Sequence, residues 1–186
     1  MLMKKIAFIS GMTGQDGPYL AKYLLEQDYK VYGLVKRYSN PNFSNLDYLG
    51  IENDVDLITG DITDDANMNH LVRSIRPHEF YNLAAQSFVG SSWDLNKQTT
   101  EVNAMGVLNI LNAIVNQNPQ TRFYQASTSE LYGNANDEGV QNEKTPFHPR
   151  SPYGISKLCA YWMTVNFRES YSVHASNGIL FNHESP

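Results

Sequence analysis

Short apolar runs alternate with helical patterns along this chain of 186 residues, and this alternation restricts the fold more than any other feature. Each run is rich in β-branched or aromatic residues and is followed by Gly, Ser, Thr, Asn or Asp, as is typical of buried strands. The runs are KKIAFIS, KVYGLV, VDLIT, EFYNLAA, RFYQAS and HASNGILF. Apolar residues at helical spacing lie between them, beginning near Tyr19, Met68, Val107 and Tyr161. Strands alternating with helices predict an α/β fold with a doubly wound parallel sheet flanked by helices.

Composition narrows the class of protein further. The net charge of −5 and the pI near 5.5 argue against nucleic acid or an anionic membrane as a partner. No run approaches the roughly 20 apolar residues that cross a bilayer, so we expect a soluble and most simply cytoplasmic protein. The single cysteine, Cys159, excludes an internal disulfide and fits a reducing compartment. No metal site is expected, because four histidines lack metal-ligand spacing: His70, His78, His148 and His174.

A glycine-rich turn, GMTGQDG, follows the first predicted strand and precedes a helix. Gly11, Gly14 and Gly17 permit a tight turn and let backbone N–H groups approach a pyrophosphate at the helix N-terminus. The spacing is G-x-x-G-x-x-G rather than G-x-G-x-x-G, and a purely structural turn is the alternative. In this context the loop predicts dinucleotide binding.

Two charged positions bear on the type of dinucleotide. The second strand ends at Lys36 and Arg37, where NAD-binding proteins carry an acid for the ribose 2′-hydroxyl. Cations suit a 2′-phosphate, so NADP is favoured over NAD, although a solvated strand end would look the same. Asp61 follows the third strand, where it could contact the adenine amino group; alternatively Asp61 or Thr63 caps the next helix.

The segment SPYGISK places Tyr153 and Lys157 on one face of a helix, and Pro152 suits its first turn. An ammonium near a phenol lowers the phenol pKa, so the phenolate can remove a proton from an alcohol during hydride transfer. We therefore expect Tyr153 to act as the base and Lys157 to lower its pKa.

The segment STSELYG follows the fifth predicted strand, so its side chains should lie at the carboxyl edge of the sheet, where ligands bind. Thr128, Ser129 and Glu130 would then face Tyr153 across a substrate. Glu130 is not needed for simple hydride transfer and indicates a second acid–base step, unless it is only a surface acid.

The order of GMTGQDG, NLAAQS, STSELYG, PRSPYGISK and NGILFNHESP resembles the extended short-chain dehydrogenase/reductase family, and within it the GDP-mannose 4,6-dehydratases. The resemblance covers essentially the whole chain and implies a Rossmann-like NADP-binding domain over residues 1–186. The catalytic residues that it implies are Thr128, Glu130, Tyr153 and Lys157. Its implied NADP contacts are Gly11, Thr13, Gly14, Gln15, Asp16, Gly17, Arg37, Asp61, Ile62, Leu83, Ala84, Ala85, Gln86, Ser87, Tyr153, Lys157 and His183. Its implied substrate contacts are Ser87, Thr128, Ser129, Glu130, Tyr153 and Asn182.

The resemblance also implies the reaction. Tyr153 would deprotonate the C4 hydroxyl of GDP-mannose as hydride passes to NADP, and Glu130 would remove the C5 proton and help water leave C6. The stored hydride would then return to C6 and leave a 4-keto-6-deoxy sugar. The alternatives are a reductase or epimerase of the same family, or a non-catalytic NADP-binding regulatory protein.

Some features depart from the family pattern. Family members run to roughly twice this length. We therefore expect a sugar-nucleotide domain to begin near Pro186, and expect that domain to be largely absent from these 186 residues. The resemblance implies a homo-oligomer at full length, a dimer or a tetramer. The segment from Tyr38 to Gly50 lacks an arginine that in relatives helps join subunits, which argues against the tetramer.

Two readings that need no ligand are also open. His183 follows an apolar strand and could be an ordinary histidine at the sheet edge. An aromatic group near the end of the chain is expected to pack rather than to form a stacking platform for a ligand: Tyr161, Trp162, Phe167 and Tyr171.

Overall fold

A parallel sheet with helices on both faces forms the fold. The computed structural model describes residues 4–37, 42–133 and 139–184, and its strands are β1 (Ile6–Ser10), β2 (Lys30–Val35), β3 (Asp56–Thr59), β4 (Glu79–Asn82), β5 (Arg122–Ala126) and β6 (Ala175–Gly178). Within the described residues the strand order is β3-β2-β1-β4-β5-β6, and every pairing is parallel. The order reverses between β1 and β4, as in doubly wound sheets, so the predicted fold class is confirmed.

The helices of the described residues are α1 (Asp16–Glu26), α2 (Ser44–Tyr48), α3 (Asp65–Ile75), α4 (Asn96–Thr100), α5 (Gly106–Gln117) and α6 (Pro152–Tyr171). A π-helical turn over Glu101–Met105 joins α4 to α5. Two segments rich in turn formers, KRYSNPNFSNLDYLG and then GNANDEGVQNEKTPFHPR, predict long loops. The first contains α2, so that part of the prediction is wrong. One turn of helix gives too short a pattern to detect, and α2 is held by burial of Leu46 against the sheet.

Aromatic and aliphatic side chains cover the two faces of the sheet separately. Phe8, Phe80 and Phe123 stand in a row on one face, with ring centroids 4.7 and 6.1 Å apart, and pack against α3, α5 and α6. Ala7 and Ile9 point to the opposite face, toward α1 and α2, because neighbouring residues of a strand alternate between faces. Burial on both faces explains why the strands read as continuous apolar runs.

Helix caps fix where two of the helices begin. The Asp64 side chain caps α3 by accepting from the Asn67 N–H, so the alternative in which Asp61 or Thr63 caps this helix is wrong. The Ser151 hydroxyl caps α6 by accepting from the Gly154 N–H at 3.0 Å, and Pro152 occupies its first turn, as predicted.

Parts of three sequence predictions lie outside the described residues. These parts are Tyr38–Pro41 in the segment without arginine, residues 134–138 in the second long loop, and the chain end at Pro186. The described remainder of that second loop, residues 139–150, contains neither helix nor strand. Among the described helices, none is long and apolar enough to cross a membrane.

Candidate active site

The glycine loop between β1 and α1 is too tightly enclosed by backbone to accept side chains. Gly11 has a φ of +77°, and the Gly14 N–H donates to the Gly11 carbonyl at 3.0 Å. A Cβ on Gly11 would lie 2.7 Å from the carbonyl carbon of Leu83, and one on Gly17 would lie 2.6 Å from the Gly11 oxygen. Only glycine fits at these two positions, and the loop brings backbone N–H groups to the N-terminus of α1, where an anion is favoured.

The loop forms one wall of a cavity of about 520 Å³ at the carboxyl edge of the sheet. That volume suits a small-molecule site. The predicted cofactor residues that line it are Gly11, Thr13, Gly14, Gln15, Asp16, Gly17, Asp61, Ile62, Leu83, Ala84, Ala85, Gln86 and Ser87. Further lining residues are Leu34, Lys36, Gly60, Gln98 and Val102. The predicted cofactor residues that do not line it are Arg37, Tyr153, Lys157 and His183.

A salt bridge crosses one side of the cavity, between the ends of β2 and β3. The Lys36 ammonium lies 2.9 Å from the Asp61 carboxylate, which also accepts from the Thr63 backbone and hydroxyl at 3.0 and 2.9 Å. Burial by itself would raise the pKa of Asp61, but the Thr63 and Lys36 hydrogen bonds outweigh it and hold that pKa below its usual value. Arg37 is exposed immediately beyond Lys36.

Asn103, which the sequence analysis missed, holds the opposite wall in place. Its amide accepts from the Gln86 N–H at 2.9 Å and donates to the Gln86 carbonyl at 3.0 Å. The same amide donates to the Ser156 hydroxyl at 3.2 Å, so it ties the cavity wall at Gln86 to α6. The sequence signal that could have identified it is an asparagine between the apolar residues Val102 and Ala104 of a helical run. In the structure its side chain is 1% exposed.

Helix α6 places Lys157 beneath the end of β5. Its Nζ donates to the Ala126 carbonyl at 2.9 Å and lies 5.9 Å from the centre of the Tyr153 ring. The side chain is 3% exposed, and burial lowers the pKa of Lys157 to about 8. Burial therefore makes the Lys157 ammonium easier to deprotonate than that of an exposed lysine.

Tyr153 sits one turn earlier on α6 and hydrogen-bonds the Thr128 side chain. Burial raises the pKa of Tyr153, the Thr128 hydrogen bond lowers it, the Glu130 charge raises it, and the net change is upward. Lys157, which was predicted to lower the pKa of Tyr153, is not among the groups that shift it. The physical reason is that Tyr153 is 7% exposed, while Lys157 is buried and directs a proton to a backbone carbonyl.

The STSELYG segment follows β5, as predicted, and begins a single turn of 3₁₀ helix capped by Thr128. The Thr128 hydroxyl accepts from the Glu130 N–H at 3.2 Å. The Ser129 N–H donates to the Leu180 carbonyl at 2.8 Å, which anchors the segment that continues to the exposed Asn182. Thr128, Ser129 and Glu130 therefore lie together beside Tyr153.

His183 connects this last segment to the glycine loop. Its Nε2 lies 3.0 Å from the Asp16 carboxylate at the start of α1, and its Nδ1 lies 2.8 Å from the Phe181 carbonyl. The Phe181 carbonyl and then Asp16 raise the pKa of His183. His183 therefore contacts a residue that lines the cavity but does not line it itself, and its cofactor role stays a prediction.

The aromatic residues near the end of the chain form two separate ring contacts. Tyr161 and Trp162 are 5.4 Å apart, and Phe167 and Tyr171 are 5.0 Å apart. Among these four, Phe167 is buried, whereas Trp162 and Tyr171 are 55% exposed. Packing, as predicted, accounts for part of this group only. Within the described part of the chain, no three His, Cys, Asp or Glu side chains come together in a way that could hold a metal ion.

Comparison with known proteins identifies the family. Residues 8–186 match the family model described as GDP-mannose 4,6 dehydratase. The chain belongs to the GDP-mannose 4,6-dehydratase family. A GDP-mannose 4,6-dehydratase of Sinorhizobium fredii is 52% identical over 100% of this chain and 55% of its own length. The human GDP-mannose 4,6 dehydratase is 48% identical over 98% of this chain and 51% of its own length. The resemblance stated from the motifs is thus confirmed, and the chain spans about half the length of these relatives.

Solved structures agree with this assignment. A dTDP-glucose 4,6-dehydratase from Streptomyces venezuelae, with NAD and TYD bound, superposes with a TM-score of 0.79 at 25% identity. The match covers 90% of this chain and 53% of that protein. The sheet and its helices are therefore those of a nucleotide-sugar enzyme fold.

Proposed function

We propose that the chain provides the cofactor-binding and catalytic half of a GDP-mannose 4,6-dehydratase. The observation that carries this proposal is the grouping of Thr128, Glu130, Tyr153 and Lys157 at the same sheet edge as the cavity. The family match and the names of relatives at about half identity support the substrate and the overall reaction.

The residues that line the cavity fit a nicotinamide dinucleotide. Gly11, Gly14 and Gly17 line the cavity at the N-terminus of α1, where backbone N–H groups favour an anion such as a pyrophosphate. The N-terminus of α1 favours the negative charge, and the wall formed by residues 83–87 is held in place by Asn103. Such a cofactor would supply reversible hydride acceptance.

The chain's own residues account for the proton transfers. Tyr153 would remove the proton of the sugar C4 hydroxyl, with Thr128 hydrogen-bonded to the phenol. Lys157, as an ammonium, would stabilise the negative charge that develops on the phenol oxygen. Glu130 would accept the C5 proton in a second step, the one that distinguishes a dehydratase from an epimerase.

We further propose that the cofactor is NADP, with Arg37 pairing with its 2′-phosphate. Lys36 is paired with Asp61, while Arg37 is exposed next to it and carries a guanidinium that can bind phosphate in two-point fashion. Titration of both cofactors tests this. Tighter binding of NADP, lost in Arg37→Ala but kept in the distant Arg122→Ala, is expected; equal affinities for NAD and NADP in the unaltered chain would contradict it.

The decisive experiment measures the mass of the product. Residues 1–186 would replace the matching half of the Sinorhizobium fredii enzyme, and the chimera would be incubated with GDP-mannose. Loss of one water without a net change in cofactor is expected. An isomer of unchanged mass would favour the epimerase alternative, for which solved neighbours such as the Thermotoga maritima UDP-glucose 4-epimerase are a precedent. Binding without turnover would favour a regulatory protein.

Two further properties follow from the same proposal. A homo-oligomer, either a dimer or a tetramer, is expected for the protein at the length of its relatives, and a cytoplasmic location is expected from its substrate class. Sedimentation of the chimera would measure the first, and both properties stay predictions.

A further inference from the structure

A row of polar side chains crosses the centre of the sheet immediately beyond the phenylalanine row. Ser10, Asn82 and Gln125 are register partners on β1, β4 and β5, each two residues after Phe8, Phe80 and Phe123 respectively. Residues two apart share a face of a strand, so this polar row lies on the sheet face that α3, α5 and α6 cover. The three polar side chains are 0%, 0% and 1% exposed. Burying an amide costs more folding free energy than burying an apolar side chain, unless each of its polar atoms is hydrogen-bonded. Packing alone therefore does not explain a row of polar side chains at this position.

The hydrogen bonds of this row can run in only one direction. The Ala126 carbonyl can only accept, so Gln125 Nε2, at 2.8 Å, must donate to it. Gln125 Oε1 is then the acceptor for Asn82 Nδ2 at 2.7 Å, and Asn82 Oδ1 is the acceptor for the Ser10 hydroxyl at 2.5 Å. The orientation of each amide therefore follows from one backbone carbonyl.

The row ends at the catalytic lysine. Ala126 O accepts from Lys157 Nζ at 2.9 Å as well as from Gln125, so both of its lone pairs are used. At the other end, the Ala84 N–H, in the cofactor wall, lies 3.4 Å from the Ser10 hydroxyl. The bonds thus connect the cavity wall to the lysine, and aligned bonds strengthen one another.

We propose that Gln125, supported by Asn82 and Ser10, is a positioning residue that fixes the Ala126 carbonyl as the acceptor of Lys157 and couples the lysine to the cofactor wall. The role of Lys157 rests on the proposed function. The hydrogen-bonded row itself does not, because every bond in it lies within the chain.

Selective isotope labelling allows the ¹³C chemical shift of the Ala126 carbonyl to be measured by NMR. The sequence contains two Ala–Ser pairs, Ala126–Ser127 and Ala175–Ser176. Carbonyl-¹³C alanine with ¹⁵N serine therefore gives two resonances in a carbonyl-to-nitrogen correlation experiment on the cofactor-free chain. The Ala175 carbonyl accepts from Arg168 at 2.9 Å and serves as the internal reference.

Substitutions should move one resonance and not the other. Gln125→Met and Lys157→Met should each shift the Ala126 carbonyl upfield, because a donor is lost, and leave Ala175 in place. Ser10→Ala should shift Ala126 by a smaller amount, and should have no effect in the Gln125→Met background, because the chain of bonds is already broken. The matched control is Asn118→Ala, a buried amide at the opposite edge of the sheet that should leave Ala126 unmoved.

The proposal would be overturned if Gln125→Met did not change the Ala126 carbonyl shift. It would also be overturned if Ser10→Ala changed that shift equally in the unaltered chain and in Gln125→Met. If Gln125→Met does not fold, Gln125→Glu replaces it, because an ionised carboxylate has a similar shape but no N–H to donate. NADP affinity is measured separately and should fall several-fold in Gln125→Met and not in Asn118→Ala. A chain that binds no NADP would contradict the proposed function while the carbonyl shifts still test the hydrogen-bonded row.

Discussion

Tyr153 and Glu130 are neighbours in the structure but are assigned to different steps. In the chimera, Tyr153→Phe should lower turnover by at least about 100-fold while cofactor binding persists, because the ring is kept and only the proton acceptor is lost. Glu130→Gln should instead let a 4-keto sugar accumulate, since a neutral amide cannot accept the C5 proton. Rapid-mixing absorbance and deuterium uptake at C5 would follow the two steps. Normal dehydration by Glu130→Gln would make this acid structural.

His183 is the residue whose titration should depend on a contact between distant parts of the chain. Its pKa is raised by the Phe181 carbonyl and by Asp16. The protonated form is therefore favoured in the folded state, and the stabilisation is complete below the ordinary pKa of 6.5 and lost as pH rises through the raised value.

Asp16→Asn should therefore lower the His183 titration midpoint, measured by NMR with His183→Gln to assign the signal. The matched control is Asp65→Asn, which removes the first-turn acid of α3 instead of that of α1. A midpoint that does not respond to Asp16→Asn would mean that the contact between His183 and α1 does not persist in solution.

At the scale of elements, the turn between β1 and α1 is constrained by both its torsion angles and its neighbours. Gly11 and Gly50 both have positive φ, of +77° and +67°, but a Cβ on Gly50 would meet nothing within 4 Å. Gly50→Ala should cost about 1 kcal/mol of stability and leave NADP affinity unchanged. Gly11→Ala should cost more and weaken NADP binding, because its Cβ would collide with the backbone at Leu83. Denaturant unfolding would measure the stability of each variant, and cofactor titration would measure its NADP affinity. Equal effects of Gly11→Ala and Gly50→Ala on both would contradict the proposed collision with Leu83.

At the scale of the whole molecule, the proposed catalytic residues lie in a chain that spans about half the length of its relatives, and we expect this half alone to hold the substrate poorly. Residues 1–186 alone should bind NADP and convert GDP-mannose at least about 100-fold more slowly than the chimera, because positioning C4, C5 and C6 against separate groups depends on remote binding contacts. Product mass spectrometry with the two proteins at equal concentration is the measurement. Comparable turnover by the two would show that residues 1–186 already contain a sufficient substrate site.

Local sequence patterns were sufficient to predict the elements whose signals involve near neighbours in the chain. Strand runs ending in small polar residues, the glycine spacing after β1, and the Tyr153–Lys157 interval on α6 each depend on neighbours within a few positions. They correctly predicted the sheet, the loop that borders the cavity and the helix that carries Tyr153 and Lys157. The family followed from the order of those motifs.

Tertiary structure decided what depends on distant partners. The short helix α2 exists because Leu46 is buried, and the pKa of Tyr153 is raised because burial outweighs the Thr128 hydrogen bond. The pairing of Asn82 with Gln125 arises only when β4 and β5 align in register, 43 positions apart in the chain. Burial and register are properties of the assembled sheet, and no local spacing in the sequence encodes them.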